Sequence, residues 1–441
     1  TQIVMLYNII AEKLEWERLT PSALKLWRRK YNLETAAGRL GEKGFYNNRQ
    51  MQVKRSAPTA PLYFWSLDGW DVELYYQKTK NGVTTYHNRL TCVFVLDAFN
   101  GYPIGYAIGE QENAELITEA LRNAVNHTAD LFGQRYRANQ IQSDHYAIKK
   151  MTPIYAACGA KYTPAKVGNA KSKPIERYFE TLNHTYCQLH PNWSGYGITS
   201  RKDKQPNIDW LNKNRHNFPD EAGVRAQIDR IVAMERAAKQ AEYVAGWENV
   251  AEERKLPMST EQYLLTFGQQ TGYKNALEGS GLNVRLLGMR RSYDCFDINF
   301  RRYPHIRWNV RFDPDHMEEV LAVSDDGSLR FMLREKYVQP MALADRKEGD
   351  SEQLAEVEQY NRTLVDHVCT VQTEAQLRIE QVFTRNPQLE NTLTRALLVD
   401  SQGQHKDRRN ERRLAAPKAQ DVDYEEIRES PKAASSTFDL Y

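Results

Sequence analysis

The stretch LYFWSLDGWDVEL, residues 62–74, decides the fold. Its aromatic and β-branched residues predict a strand, and Asp68 lies in the interior of that strand. A little further along, Asn81-Gly82 predicts a hairpin turn. The run LTCVFVL at 90–96 is apolar almost throughout, which is typical of a strand buried on both faces. These segments indicate the start of a β-sheet.

The following segments extend the sheet and add helices. We predict a strand at 102–108, an amphipathic helix at 113–126, a short strand at 140–143 and a helix at 174–190. The order β-β-β-α-β-α predicts an α/β fold, a mixed sheet with helices packed on it. In such a sheet the first and fourth strands can be neighbours, and the last helix can pack across them.

Three acidic residues occupy positions that this sheet would bring together. Asp68 lies in the first strand, Asp144 follows the fourth strand in IQSDHY, and Glu176 lies in the next helix in KSKPIERYFETL. Three converging carboxylates repel one another unless divalent cations neutralise them, and oxygen ligands suit Mg²⁺ or Mn²⁺. Two such ions about 4 Å apart promote phosphodiester displacement. We therefore predict that these acids are catalytic and bind metal.

Other acids compete for the same roles. Asp71 is three residues beyond Asp68, so it should face the opposite side of the strand. Glu180 is one helical turn beyond Glu176 and shares its face. Asp97 also ends a predicted strand, but the turn residues Asn100-Gly101 follow it, which favours a turn-forming role.

Residues 62–190 resemble the catalytic core of DDE transposases and retroviral-type integrases, which has an RNase H-like fold. The matching segments are SLDGWDVEL, TCVFVLDAFNGYPIGYAIGEQENAE, IQSDHYAIKK and KYTPAKVGNAKSKPIERYFETLNH. The later segment RWNVRFDPDHMEEVLAVSDDGSL resembles the small β-barrel that follows the core in phage Mu-type transposases. One departure is His145-Tyr146, where the family often has Asn-Gly after the second acid.

The resemblance implies an enzyme that cleaves DNA at the ends of a mobile element and joins the freed 3′-hydroxyl to target DNA. It implies Asp68, Asp144 and Glu176 as the catalytic acids, with two Mg²⁺ ions per site that Mn²⁺ can replace. It also implies a homo-oligomer on double-stranded DNA, with a target-selecting ATPase as a possible partner. Two alternatives remain open: a structure-specific nuclease that cuts without joining, and a non-catalytic DNA-binding protein.

Several basic residues are predicted to contact DNA. The chain carries a net charge of only +3, so local clusters of basic residues have to provide the evidence for DNA binding. Such clusters flank the third acid, lie in a possible N-terminal helix-turn-helix, and occur in the predicted barrel. The candidate residues are Lys166, Lys171, Lys173, Arg177, Arg28, Arg29, Arg290 and Arg291.

The 441 residues suggest several domains. We predict a helical DNA-binding region at 1–51, a linker at 52–61, the catalytic domain at 62–268, the barrel at 280–345, a charged helix at 346–399 and a polar, disordered tail at 400–441. No apolar run reaches the ~20 residues of a membrane helix. Five scattered cysteines favour a reducing compartment, so we expect a cytoplasmic protein. The resemblance to phage Mu-type transposases implies that this is the cytoplasm of a prokaryotic cell or of a phage-infected host.

Overall fold

A computed structural model describes residues 2–51, 55–144, 148–164, 173–196 and 205–389. The chain divides into two compact units, Thr1–Phe267 and Gly268–Tyr441. The first unit contains helices and strands in the following order: α1 (Gln2–Lys13), α2 (Pro21–Lys30), α3 (Ala36–Arg49), β1 (Trp65–Asp71), β2 (Tyr76–Lys80), β3 (Val83–Asn88), β4 (Thr91–Asp97), β5 (Tyr102–Gly109), α4 (Ala114–Phe132), β6 (Tyr136–Gln142), α5 (Ile148–Cys158), β7 (Gly159–Tyr162), α6 (Pro174–Thr185), α7 (Ile208–Asn214), α8 (Glu221–Glu248), β8 (Leu256–Pro257) and α9 (Thr260–Phe267).

A mixed sheet forms the centre of the first unit. Its strand order is β5-β4-β1-β6-β7, and β8 pairs with β6. Strand β1 is antiparallel to β4 and parallel to β6, where Trp65 pairs with Ile141 and Ser66 with Gln142. The prediction that the first and fourth strands are neighbours is therefore confirmed. Every residue of β4 is buried, as its apolar sequence indicates.

Helices cover both faces of this sheet. Helix α4 begins at the cap Asn113, whose side chain accepts a hydrogen bond from Leu116 N–H. It packs so closely on β5 that a Cβ at Gly105 would lie 2.5 Å from the Ala120 carbonyl oxygen, so this position needs glycine. Helices α6 and α8 pack on the other face, where Trp70 and Phe94 belong to one buried cluster with residues of both helices.

One hairpin turn and one helix cap show how short-range chemistry sets the local structure. The β2–β3 hairpin turns at Asn81 and Gly82, both with left-handed φ angles, 53° and 77°. Thr20 caps α2 by accepting a hydrogen bond from Ala23 N–H at 3.1 Å, ahead of proline at the first helical position. Helix α3 contains a non-helical Gly41, with a φ angle of 72°, and continues beyond this break to Arg49.

The second unit contains a closed antiparallel barrel in the order β10-β11-β14-β13-β12-β9. Its elements are β9 (Gln269–Glu278), β10 (Gly281–Leu286), β11 (Met289–Asp294), α10 (Ile298–Arg301), β12 (Arg307–Asp313), β13 (His316–Val323), β14 (Arg330–Glu335) and α11 (Asp350–Arg385). Strand β9 corrects the predicted barrel boundary at 280. Most of its residues are exposed and polar, so the strand lacks the apolar alternation on which the prediction relied.

Other boundaries differ from the predictions. Helix α5 and strand β7 were not predicted; α5 contains Pro153, which argues against a helix at the level of sequence. Helix α6 ends at Thr185 rather than at 190. The predicted charged helix ends at Arg385, and the predicted polar tail at 400–441 lies outside the described residues. Within the described residues, no helix combines the length and the apolar content needed to cross a membrane.

Candidate active site

Asp68 lies in the middle of β1, the strand flanked by β4 and β6. Its side chain is largely buried, with 16% of its surface exposed. One carboxylate oxygen accepts a hydrogen bond from Gly69 N–H at 3.1 Å. The other accepts one from Lys173 Nζ, also at 3.1 Å. The Asp68 carboxylate is therefore held in place by the backbone of the next residue and by the ammonium group of Lys173.

The other two acids reach the same place from neighbouring elements. Asp144 follows the end of β6, the strand parallel to β1, and its side chain is about half exposed. Glu176 lies in the first turn of α6 and is also partly exposed. The positive end of the helix dipole favours an acid at this position.

Aromatic stacking positions α6 against β1. Trp70, two residues beyond Asp68 on the same face of the strand, stacks on Phe179 with ring centroids 5.6 Å apart and an interplanar angle of 10°. Phe179 is one helical turn beyond Glu176, so the two side chains share a face of α6. The stacked pair therefore places Glu176 beside Asp68.

Lys173 lies between the three acids. Its Nζ atom is 3.1 Å from Asp68 Oδ2 and 4.0 Å from Glu176 Oε1, and it forms an ion pair with Asp144 Oδ1. Only 8% of the lysine side chain is exposed. In the structure its ammonium group contacts Asp68 and Asp144 and lies near Glu176. The predicted DNA contact of Lys173 stays a prediction.

Burial and mutual repulsion affect the protonation of this cluster. Burial raises the pKa of Asp68 and of Glu176 above the ordinary values, while attraction to Lys173 partly offsets the effect. Burial opposes the charge of Lys173, but its contacts with Asp144 and Asp68 outweigh burial and raise the lysine pKa. Asp68, Glu176 and Lys173 therefore all have raised pKa values in this cluster.

Glu112 is a fourth acid near the site that the sequence analysis did not identify. It precedes α4, and its carboxylate lies against the backbone of Gly69, where a Cβ would be 2.3 Å from Glu112 Oε2. Burial, and then repulsion by Asp68 and Asp144, raise the pKa of Glu112. Its loop position gave no periodic signal; the only sequence clue was its place immediately before the helix cap Asn113.

The competing acids lie in different surroundings. Asp71 faces the other side of β1 and accepts a hydrogen bond from Thr91 Oγ1 at 2.8 Å. Asp97 accepts a hydrogen bond from Phe99 N–H at 3.0 Å, in line with its predicted turn-forming role. Glu180 is exposed and, with Glu176 and Arg177, lines a cavity of about 690 Å³ that also includes Trp70 and Phe179.

The donor set suits a hard cation, but its present arrangement surrounds an ammonium group. Carboxylate oxygens are ligands that Mg²⁺ and Mn²⁺ prefer. Among the described residues, however, no group of three or more His, Cys, Asp or Glu side chains is arranged to hold a metal ion. With Lys173 in its present position, the oxygens of the three acids are directed at its Nζ atom rather than at a shared metal position.

The remaining predicted DNA contacts are spread over the chain. Arg177 is exposed on α6 beside Glu176. Arg28 and Arg29 are exposed in the last turn of α2. Arg290 is exposed on β11 of the second unit, whereas Arg291 forms an ion pair with Glu335 at 2.6 Å. The predicted contacts Lys166 and Lys171 lie outside the described residues.

No model of a known protein family matches this chain, and no curated protein matches it. Among solved structures, the chain is similar to the simian T-cell lymphotropic virus intasome determined by cryoEM in complex with PP2A regulatory subunit B56 gamma. The identity is 12%, the alignment covers 66% of this chain and 86% of that chain, and the TM-score is 0.25. A TM-score this low supports no argument about fold or function.

Proposed function

We propose that this chain is a DDE-type DNA transposase whose catalytic domain has an RNase H-like fold. The observation that supports the proposal is the convergence of Asp68, Asp144 and Glu176 on one cation, although 76 and 32 residues separate them along the chain. Each acid comes from the element on which the sequence placed it: a central strand, the end of its parallel neighbour, and the helix that crosses them.

Asp68, Asp144 and Glu176 are the residues that would hold Mg²⁺ or Mn²⁺. Two ions there would activate an attacking oxygen and neutralise charge on a leaving oxygen. Binding requires the ammonium group of Lys173 to withdraw from the carboxylates. The withdrawn lysine, together with the exposed Arg177, can then bind the phosphates that flank the scissile bond.

The reaction has two displacements at phosphorus. In the first, water attacks a phosphodiester at the element end, and the 3′-oxygen of the element strand leaves as a free hydroxyl. In the second, that hydroxyl attacks a target phosphodiester, a new phosphorus–oxygen bond forms, and the target 3′-oxygen leaves. The acids and basic residues of the site position the DNA strands and balance the charge that develops on the phosphate.

The test is a joining assay with a labelled duplex that carries the DNA flanking this gene and ends in a free 3′-hydroxyl. With supercoiled plasmid and Mg²⁺, a transposase yields labelled plasmid. Asp68→Asn, Asp144→Asn and Glu176→Gln should reduce joining below detection without weakening DNA binding. The matched controls Asp71→Asn and Glu180→Gln should retain joining.

The non-catalytic alternative has one observation in its favour: a lysine neutralises the three acids in the structure. If the chain binds duplex DNA, but neither cuts nor joins it with Mg²⁺ or Mn²⁺, the chain is a DNA-binding protein with a degenerate core. If it cuts plasmid without joining the labelled duplex, it is a nuclease.

A further inference from the structure

The hairpin of β10 and β11 ends in an unusual two-residue turn. Leu287 and Gly288 both have left-handed φ angles, 46° and 86°, and Leu286 pairs with Met289 to close the turn. The β2–β3 hairpin has the same φ pattern at Asn81 and Gly82. Asparagine and glycine are the residues that this turn favours, whereas leucine in a left-handed conformation is strained by its Cβ.

The strained leucine lies at the tip of an exposed apolar pair. Leu287 is 62% exposed and Met289 is 51% exposed. Neither belongs to the buried cluster of the barrel, which Leu282, Val284 and Leu286 fill from the same hairpin. Burial in the barrel therefore does not explain why apolar residues occupy this turn.

Two arginines flank the apolar tip. Arg285 and Arg290 are directly opposite each other across the two strands, and both are exposed. Like charges in this arrangement repel each other. In the described part of the chain, no acidic side chain lies within ion-pair distance of either arginine, and Arg285 Nε donates a hydrogen bond to the Gly288 carbonyl oxygen at 3.3 Å.

The strained backbone and the opposed arginines reduce the stability of the free hairpin, and the exposed apolar pair adds nothing to the buried cluster of the barrel. Strain kept at an exposed position points to a binding role. Opposed arginines favour a polyanion, and duplex DNA offers phosphates on both sides of each groove. A protein partner would need an acidic surface around an apolar pocket, whereas any duplex offers phosphates beside an apolar base stack.

We propose that the β10–β11 tip is a wedge for duplex DNA. Leu287 and Met289 enter a base step from the minor groove, while Arg285 and Arg290 bind the phosphates on either side. Apolar side chains used in this way unstack a base step and bend the duplex. This inference rests on the proposed function, because DNA is the substrate that the proposed function supplies.

The test uses the full-length chain and a mixed-sequence duplex with fluorophores at both ends. Leu287→Asn replaces the strained residue with the one used at position 81, so the thermal midpoint of the variant should rise. The same change should weaken duplex binding at least fivefold and reduce the bend measured by energy transfer. A purely structural role of the turn would change stability and binding in the same direction. Val338→Asn, at another exposed apolar residue of this unit, is the control.

The arginines have a separate readout. The double variant Arg285→Gln/Arg290→Gln should reduce the slope of log affinity against log salt concentration by roughly two, since each phosphate contact contributes about 0.9. Unchanged binding and bending by Leu287→Asn would overturn the wedge. The wedge would also be overturned if Leu287→Asn changed the sedimentation coefficient of the free protein but left its DNA affinity unchanged. That result would identify the tip as a contact between copies of the chain.

Failure of the wedge and failure of the proposed function give different results. If the wild type binds and bends DNA but joins no strands, the transposase proposal fails while the wedge remains. If the wild type joins strands but Leu287→Asn bends DNA normally, only the wedge fails. If the chain binds no duplex at all, both fail.

Discussion

At the scale of the residue, Lys173 raises the question of how a metal ion could enter the site. Its ammonium contacts Asp68 and Asp144 and lies near Glu176. An incoming ion must break these contacts before it can bind the carboxylates. The lysine therefore competes with metal.

We expect Lys173→Met to bind Mn²⁺ about tenfold more tightly than the wild type, because the ammonium contacts no longer have to be broken. Titration calorimetry without DNA measures this directly. Lys161→Gln, at an exposed lysine on β7, is the matched control and should bind as the wild type does. Equal or weaker Mn²⁺ binding by Lys173→Met would show that the lysine does not compete with metal.

Asp97 determines a pH dependence of stability. Burial raises its pKa from 3.8 to about 6, although Tyr243, Leu62 and Trp65 donate hydrogen bonds to it. The pKa of Asp97 is higher in the folded protein than in the unfolded chain, so protonated Asp97 stabilises the fold. This contribution to the unfolding free energy is fully present below about pH 4. It is lost as the pH rises through 6.

The rise of the Asp97 pKa from 3.8 to about 6 corresponds to roughly 3 kcal/mol of unfolding free energy. We expect the difference in unfolding free energy between wild type and Asp97→Asn to change by that amount between pH 4 and pH 7. Urea unfolding at several pH values measures it. Parallel pH profiles for the two proteins would contradict the assignment to Asp97.

At the scale of the element, the contact of α6 with β1 decides where the third acid lies. Trp70 and Phe179 are both buried and stacked, and they lie on the same faces as Asp68 and Glu176. The position of Glu176 therefore depends on the packing of two apolar side chains that are not themselves part of the acidic cluster.

Phe179→Ala should destabilise the first unit by roughly 3–5 kcal/mol, and Phe179→Leu by less than about 1.5 kcal/mol. Only the alanine variant should also weaken Mn²⁺ binding, because loss of the Phe179 ring leaves an empty space beside Trp70 into which α6 can shift. Urea unfolding and calorimetry check both effects. Unaltered Mn²⁺ affinity in folded Phe179→Ala would mean that the stack does not position Glu176.

At the scale of the whole molecule, each compact unit has its own buried cluster. Trp308 is fully buried in the barrel cluster. We expect Trp308→Ala to destabilise the barrel by about 3–5 kcal/mol. Hydrogen exchange should become faster in β9–β14 and remain unchanged in β1, β4 and β6. Faster exchange in both units would show that they unfold together.

The sequence by itself determined the elements with strong local signals. The apolar run of β4 and the Asn81-Gly82 turn each follow from short-range chemistry, and each is present in the structure. Strand β9 was missed because its residues are mostly exposed, and helix α5 because it contains a proline. Local patterns predict elements whose stability is local.

Only the tertiary structure decided what surrounds each acid. The sequence identified Asp68, Asp144 and Glu176 as a set, but it could not show that Lys173 lies between them or that Glu112 lies against Gly69. A side chain several bonds long can reach either solvent or its neighbours, and long-range packing decides between these alternatives. Chain order therefore predicts which strands and helices meet, whereas charge pairing within the site depends on distances that only the folded chain defines.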